Sequence, residues 1–182
     1  ELRFPKQFRG KNRKVYLTGE GYFDVQRNEK QPFIVEAQQV AIRVLGTSFG
    51  VRAYTREVNV LTTLVQGRVN VEADGQQVEL NPGQQADFNR GNDRLTVAEV
   101  DVEQYVGWKD GRLVFDNKPL EFILEELGRW YSFDVFYTNK ELKEIPYSLN
   151  IKKHEDIAHV LKFIERTGKV KFEVNKNMII VK

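Results

Sequence analysis

Residues 108–135 read WKDGRLVFDNKPLEFILEELGRWYSFDV and carry strand, helix and strand in one unbroken run. From Arg112 the chain alternates, placing Leu113 and Phe115 on one side of an extended segment. Lys118 precedes a proline, which biases it out of the helical region and makes it an N-cap position. Pro119 then takes the first helical position, where its missing N–H leaves no bond unmade. Leu120, Ile123, Leu124, Leu127 and Tyr131 recur at helical spacing and predict one apolar stripe. Phe133 and Val135, two apart, resume the period of a strand.

The rest of the C-terminal half repeats this plan. Ile145, Tyr147, Leu149 and Ile151 alternate as a strand, and a helix is predicted over about 155–167. Glu155 and Asp156 fall in its first turn, where the helix dipole favours anions. Ile157, Val160, Leu161 and Ile164 make its stripe, and Gly168 suits the position just past its end. Val170, Phe172 and Val174 read as a strand, 175–177 as a turn and 178–181 as a final strand. The order β-α-β, then β-α-β-β, is a weak internal duplication of a small α+β unit.

Four apolar residues do not fit these stripes. Phe122 and Phe163 lie off the main stripe of each helix, and Val114 and Phe136 point away from the side that holds Leu113, Phe115, Phe133 and Val135. Apolar residues on both faces imply either a second covering layer, the favoured account, or a surface that meets a partner.

Residues 1–104 read as nearly all β. Alternating runs recur at 15–17, 22–25, 33–36, 40–45, 49–54, 58–65, 69–73, 78–80 and 95–100. Asp74-Gly75, Pro82-Gly83 and Gly91-Asn92 punctuate them. Asp74-Gly75 between two alternating runs favours a two-residue hairpin turn. Strands at this spacing make a sandwich, a barrel or a β-solenoid, and the pattern does not choose among them. At 102–107 the period changes from 2 to 3.6, so the reading is of two domains, 1–104 and 105–182. The expected fold class is therefore mainly β followed by a small α+β domain.

The net charge of +2 hides a basic start: the first fourteen residues hold six Lys or Arg against Glu1. Such an arm is either a solvated edge, the reading preferred here, or a contact for nucleic acid or lipid; no interleaved aromatics favour nucleic acid. There is no cysteine, which excludes disulfides and Cys-based metal or redox chemistry. No apolar run approaches the ~20 residues that span a bilayer, and no signal-peptide pattern is present. The chain begins at Glu1 and is read as a soluble portion of a longer protein.

Motifs for catalysis are sparse. His154 and His159, five apart, do not share a helix face, so no metal site is expected. No phosphate-binding loop or nucleophile elbow occurs, and no cofactor is expected. Glu20 and Asp24 share a face of an extended run and make a candidate acid/base pair, though a solvated face is the simpler account. Trp108, Trp130 and Tyr131 suit stacking on sugars, but packing explains Trp130 and Tyr131. A carbohydrate-binding or glycan-processing β-domain is the alternative these residues support.

Residues 15–25, VYLTGEGYFDV, resemble the LTGEAYFEV signature of FecR-type anti-sigma factors. VLGTSFGV at 44–51 is similar to their VLGTxFNV, with Gly50 where the family usually has Asn. LVQGRV at 64–69 resembles their LxxGxV, and LNPGQQ at 80–85 their LxPGQ. Residues 108–120 and 127–131 resemble the WKdGrLvFdnxPL and ELxRWY patterns of their C-terminal module. The resemblance implies a non-enzymatic, periplasmic region, anchored to the inner membrane by a segment outside this chain. It implies two partners: the N-terminal signalling domain of an outer-membrane TonB-dependent transducer, and an extracytoplasmic-function sigma factor bound by the cytoplasmic segment. It further implies a solenoid- or sandwich-like sensor domain over 1–104. Residues 105–182 would resemble the short N-terminal domain of secretins and TonB-dependent transducers, with helices between two small sheets and Phe122 and Phe163 in the core. An exposed sheet edge of this module is the expected contact, with Val114, Phe136, Phe122 and Phe163 as candidate partner-binding residues.

Overall fold

The computed structural model describes residues 1–152 and 154–182. The chain divides into two compact units, Glu1–Val106 and Gly107–Lys182.

The first unit runs β1 (Leu2–Arg3), β2 (Arg13–Leu17), β3 (Gly19–Asp24), β4 (Phe33–Ala37), β5 (Val40–Val44), β6 (Ser48–Ala53), β7 (Asn59–Gln66), β8 (Val69–Ala73), β9 (Gln76–Leu80), β10 (Gln84–Asn89) and β11 (Arg94–Glu99), then the short helix α1 (Glu103–Val106). The strands form two sheets, ordered β1-β2-β4-β5-β8-β9 and β11-β10-β7-β6-β3. All neighbours are antiparallel except β2 and β4. Alternate residues of both sheets enter one core: Val35, Ile42, Val71 and Leu80 from the first, Phe49, Leu64, Ala86 and Phe88 from the second. Phe23 stacks on Phe49, centroids 5.3 Å apart. The fold is thus a pair of sheets enclosing apolar side chains, and it does not close into a barrel. Asp74 and Gly75 both take positive φ, 46° and 71°, and Ala73 pairs with Gln76 across them. The two-residue turn favoured by the sequence is therefore present.

Two features depart from the sequence reading. Strand β10 was not anticipated, because QQADFN carries little apolar alternation; it is held centrally between β7 and β11. The basic arm is not wholly free: Leu2 and Arg3 pair with Leu17 and Tyr16, and the Arg13 guanidinium donates to the carbonyls of Gln31 and Gln26.

The second unit runs β12 (Arg112–Pro119), α2 (Leu120–Tyr131), β13 (Asp134–Tyr137), β14 (Pro146–Lys152), α3 (Ile157–Glu165), β15 (Phe172–Asn175) and β16 (Met178–Val181). The duplication takes a specific form here. The first strands of the two repeats, β12 and β14, pair with each other; the second strands, β13 and β15, flank β16 in a separate sheet. Each helix therefore joins one sheet to the other. Leu120, Ile123, Leu124 and Leu127 of α2 and Val160, Leu161 and Ile164 of α3 fill the core with Leu113, Phe115, Tyr147, Leu149, Ile151, Ile179 and Val181.

Helix boundaries differ from expectation by one to two residues at each site. Lys118 is still in β12, opposite Tyr147, and Pro119 is the cap. The reason is a bulge: Asn117 takes φ 48°, after which the strand resumes, and Leu120 N–H donates to the Ile145 carbonyl at 2.9 Å. Helix α3 begins at Ile157 because the Asp156 side chain caps it, accepting from Ala158 N–H at 2.9 Å. Glu155 lies outside the helix.

The favoured covering layer does not reach Phe163, which is 59% exposed, so its expected place in the core is corrected. Phe122 is partly buried, edge-on to Phe115 at 6.3 Å and with the Lys118 ammonium 5.9 Å from its ring. Phe136 is 55% exposed and Val114 half-buried.

Candidate partner-binding site

Strand β14 sends Tyr147, Leu149 and Ile151 inward and Ser148, Asn150 and Lys152 outward. Among the described residues it pairs on one side only, with β12. Its other edge lies beside α3, and between them runs a cleft of about 450 Å³ lined by Ser148, Asn150, His159, Lys162, Phe163 and Arg166, among others. On α3 the spacing i, i+3, i+4, i+7 puts these last four side chains on one face.

Which backbone groups face the cleft follows from one turn. In an antiparallel pair each residue points both its N–H and its C=O either at its partner or away, in alternation. Lys152 points away: its N–H donates to the Glu155 carboxylate at 3.1 Å, and its carbonyl accepts from Glu155 N–H at 2.9 Å. By alternation Asn150 and Ser148 point the same way. Outside the ladder with β12, no hydrogen bond to the backbone N–H or C=O of either occurs among the described residues. The cleft thus offers two N–H and two C=O groups of an open strand edge.

Its charge is positive. Lys162 and Arg166, with no ion-pair partner among the described residues, line it against one carboxylate, Glu155, which accepts from Lys152 N–H. The Tyr131 hydroxyl donates to the Glu155 carbonyl at 2.8 Å and ties the end of α2 to the start of this loop. Burial, then the carboxylates of Glu155 and Asp156, push its phenol above its ordinary pKa.

The four candidates from the sequence are not brought together. Phe163 lines the cleft, and Val114 pairs with Asn150 on the outer side of the same small sheet. Phe136 belongs to the other sheet, in a row with Ile180, and Phe122 packs against Phe115. Sequence reasoning passed over Ser148, Asn150, Lys162 and Arg166. The α3 face was legible as a spacing, but nothing in the sequence marked β14 as an edge.

The acid/base pair does not form. Glu20 sits 3.8 Å from Arg52, which is itself held by two bonds to Glu57, and Asp24 accepts from the Ser48 hydroxyl at 2.8 Å. Each carboxylate is occupied by its own cross-strand neighbour on β6. Trp108, Trp130 and Tyr131 pack against the core of the second unit. No group of acidic or histidine side chains that would hold a metal ion occurs among the described residues.

The glycine motifs of the first unit build a corner. β5 leaves one sheet for the other through Gly46 and Thr47, and β7 returns through Gly67. The two crossings touch: the Thr47 hydroxyl donates to the Arg68 carbonyl at 2.8 Å, and Thr47 exchanges backbone bonds with Val25. A Cβ on Gly46 would stand 2.5 Å from the Arg27 backbone, and one on Gly67 2.9 Å from the Gly46 carbonyl. These motifs hold the crossing closed.

A FecR protein model matches residues 2–70, and a FecR C-terminal model matches residues 112–181. The chain belongs to the FecR family. Two crystal structures from Parabacteroides distasonis ATCC 8503, at 1.65 and 2.50 Å resolution, are similar to it; each is described as a candidate anti-sigma factor. The first is 25% identical with a TM-score of 0.89, over 100% of this chain and 85% of that one. The second is 25% identical with a TM-score of 0.88, over 99% and 84%. No curated protein matches the chain. No helix among the described residues is long and apolar enough to cross a membrane.

Proposed function

We propose that this chain is the periplasmic part of a membrane-anchored anti-sigma regulator. It binds the N-terminal signalling domain of a TonB-dependent outer-membrane transducer and so controls an extracytoplasmic-function sigma factor. The family assignment and the likeness to a candidate anti-sigma factor support a role in signal relay. The single observation that carries the binding role is the open edge of β14, set in a basic cleft beside an exposed phenylalanine. The chemistry is association without catalysis. To relay a signal, the contact must be stronger in one state of the transducer than in the other, since equal affinity shifts no equilibrium.

Calorimetric titration of this chain with the isolated signalling domain of the transducer encoded beside it tests the reading. One-to-one binding at micromolar or tighter affinity is expected, with none to a non-cognate signalling domain. Equal heats from both domains, or from neither, would sink it.

A further inference from the structure

We infer that the partner docks by adding an extended strand to β14 at Ser148–Ile151, and that this strand alternates apolar and acidic side chains. The inference rests on the relay function proposed above and specifies how that contact is made.

Four observations converge on one occupant. The outward N–H and C=O groups of Ser148 and Asn150 are spaced as a strand edge requires, and their partners must be backbone groups in an extended conformation. The preceding residue of that register, Pro146, has no N–H, so pairing is confined to the stretch that lines the cleft. The α3 wall is close enough that an added strand would turn every second side chain toward it. There the incoming residues meet Phe163, 59% exposed, and the cations Lys162 and Arg166. An apolar side chain covers the ring, and a carboxylate at the next inward position meets the two cations. Inward positions alternate with outward ones that face Asn150 and Val114, where a small polar or β-branched side chain fits. A nucleic acid would find the cations but has no use for an open strand edge. A basic segment would be repelled.

The test pairs amide hydrogen exchange with the same titration. On adding the cognate signalling domain, the amides of Ser148 and Asn150 should slow, while the already bonded amides of Leu149 and Ile151 change little. Three variants follow, each checked by its melting transition. Asn150→Pro removes an outward N–H without touching the bonds to β12, and should abolish binding. The double variant Lys162→Glu, Arg166→Glu should weaken it roughly tenfold or more. Phe136→Ser, on the other sheet, should bind as the wild type does. Unchanged affinity in the first two variants, or loss in Phe136→Ser alone, overturns the docking mode while leaving the relay function standing. If the signalling domain does not bind at all, the relay reading fails. The edge is then tested with a synthetic peptide of alternating Val and Asp: slowing of the same two amides supports strand addition, and no slowing overturns it.

Discussion

At the scale of single residues, Gly50 shows how a small side chain becomes a structural part. A Cβ at this position would lie 2.7 Å from Cγ1 of Val106, so the missing side chain is what lets α1 close on the face of β6. Tyr105 of the same helix is half-buried, and its phenol is pushed up by burial and then by the Asp87 carboxylate of β10. Gly50→Ala should therefore destabilise the first unit by about 1–3 kcal/mol, the usual cost of overpacking. Gly50→Ala with Val106→Ala should recover much of that loss. Denaturant melts of the two single variants and the double variant give the coupling energy directly. Additive losses would mean that Gly50 matters for some reason other than Val106.

At the scale of elements, Tyr137 on β13 carries a testable imbalance. Its hydroxyl is buried without a partner among the described residues. Burial, reinforced by Glu121 and Glu125, raises its pKa far above that of a free phenol. The folded form therefore holds the proton more tightly than the unfolded chain does. Stability is whole below the ordinary phenol pKa near 10 and falls as pH rises from there toward the folded value. Tyr137→Phe should be neutral or stabilising at pH 7, by up to about 1 kcal/mol. It should also flatten the alkaline fall, read as melting temperature between pH 9 and 11. The elements differ in how far the sequence disclosed them. Helix α2 was plain, because Leu120, Ile123, Leu124 and Leu127 have one side to bury and all are fully buried. Strand β10 was hidden, because its buried positions include Gln85, whose amide is satisfied by the Thr63 hydroxyl at 2.7 Å. A polar residue can fill a core position when a neighbouring strand supplies the bond, and period-two patterning does not register it. Edge status was hidden for a different reason. Whether β14 has one neighbour or two is decided by where other strands go, and its own residues alternate in either case.

At the scale of the whole molecule, the two units hold separate cores, and no core cluster draws residues from both. Residues 107–182 should therefore fold alone and show one cooperative melting transition. They should also bind the signalling domain as the longer chain does, since every residue of the cleft lies within them. Failure of this piece to melt cooperatively would show that the second unit needs the first. The three-stranded sheet adds a condition on timing. Its middle strand, β16, is bonded to β13 in parallel and to β15 in antiparallel fashion, yet it is the last of the three to leave the ribosome. Until then β13 has no neighbour in its sheet, and Val135 and Tyr137 lie open. The second unit cannot finish folding from its amino end forward; its last strand has to arrive as a wedge.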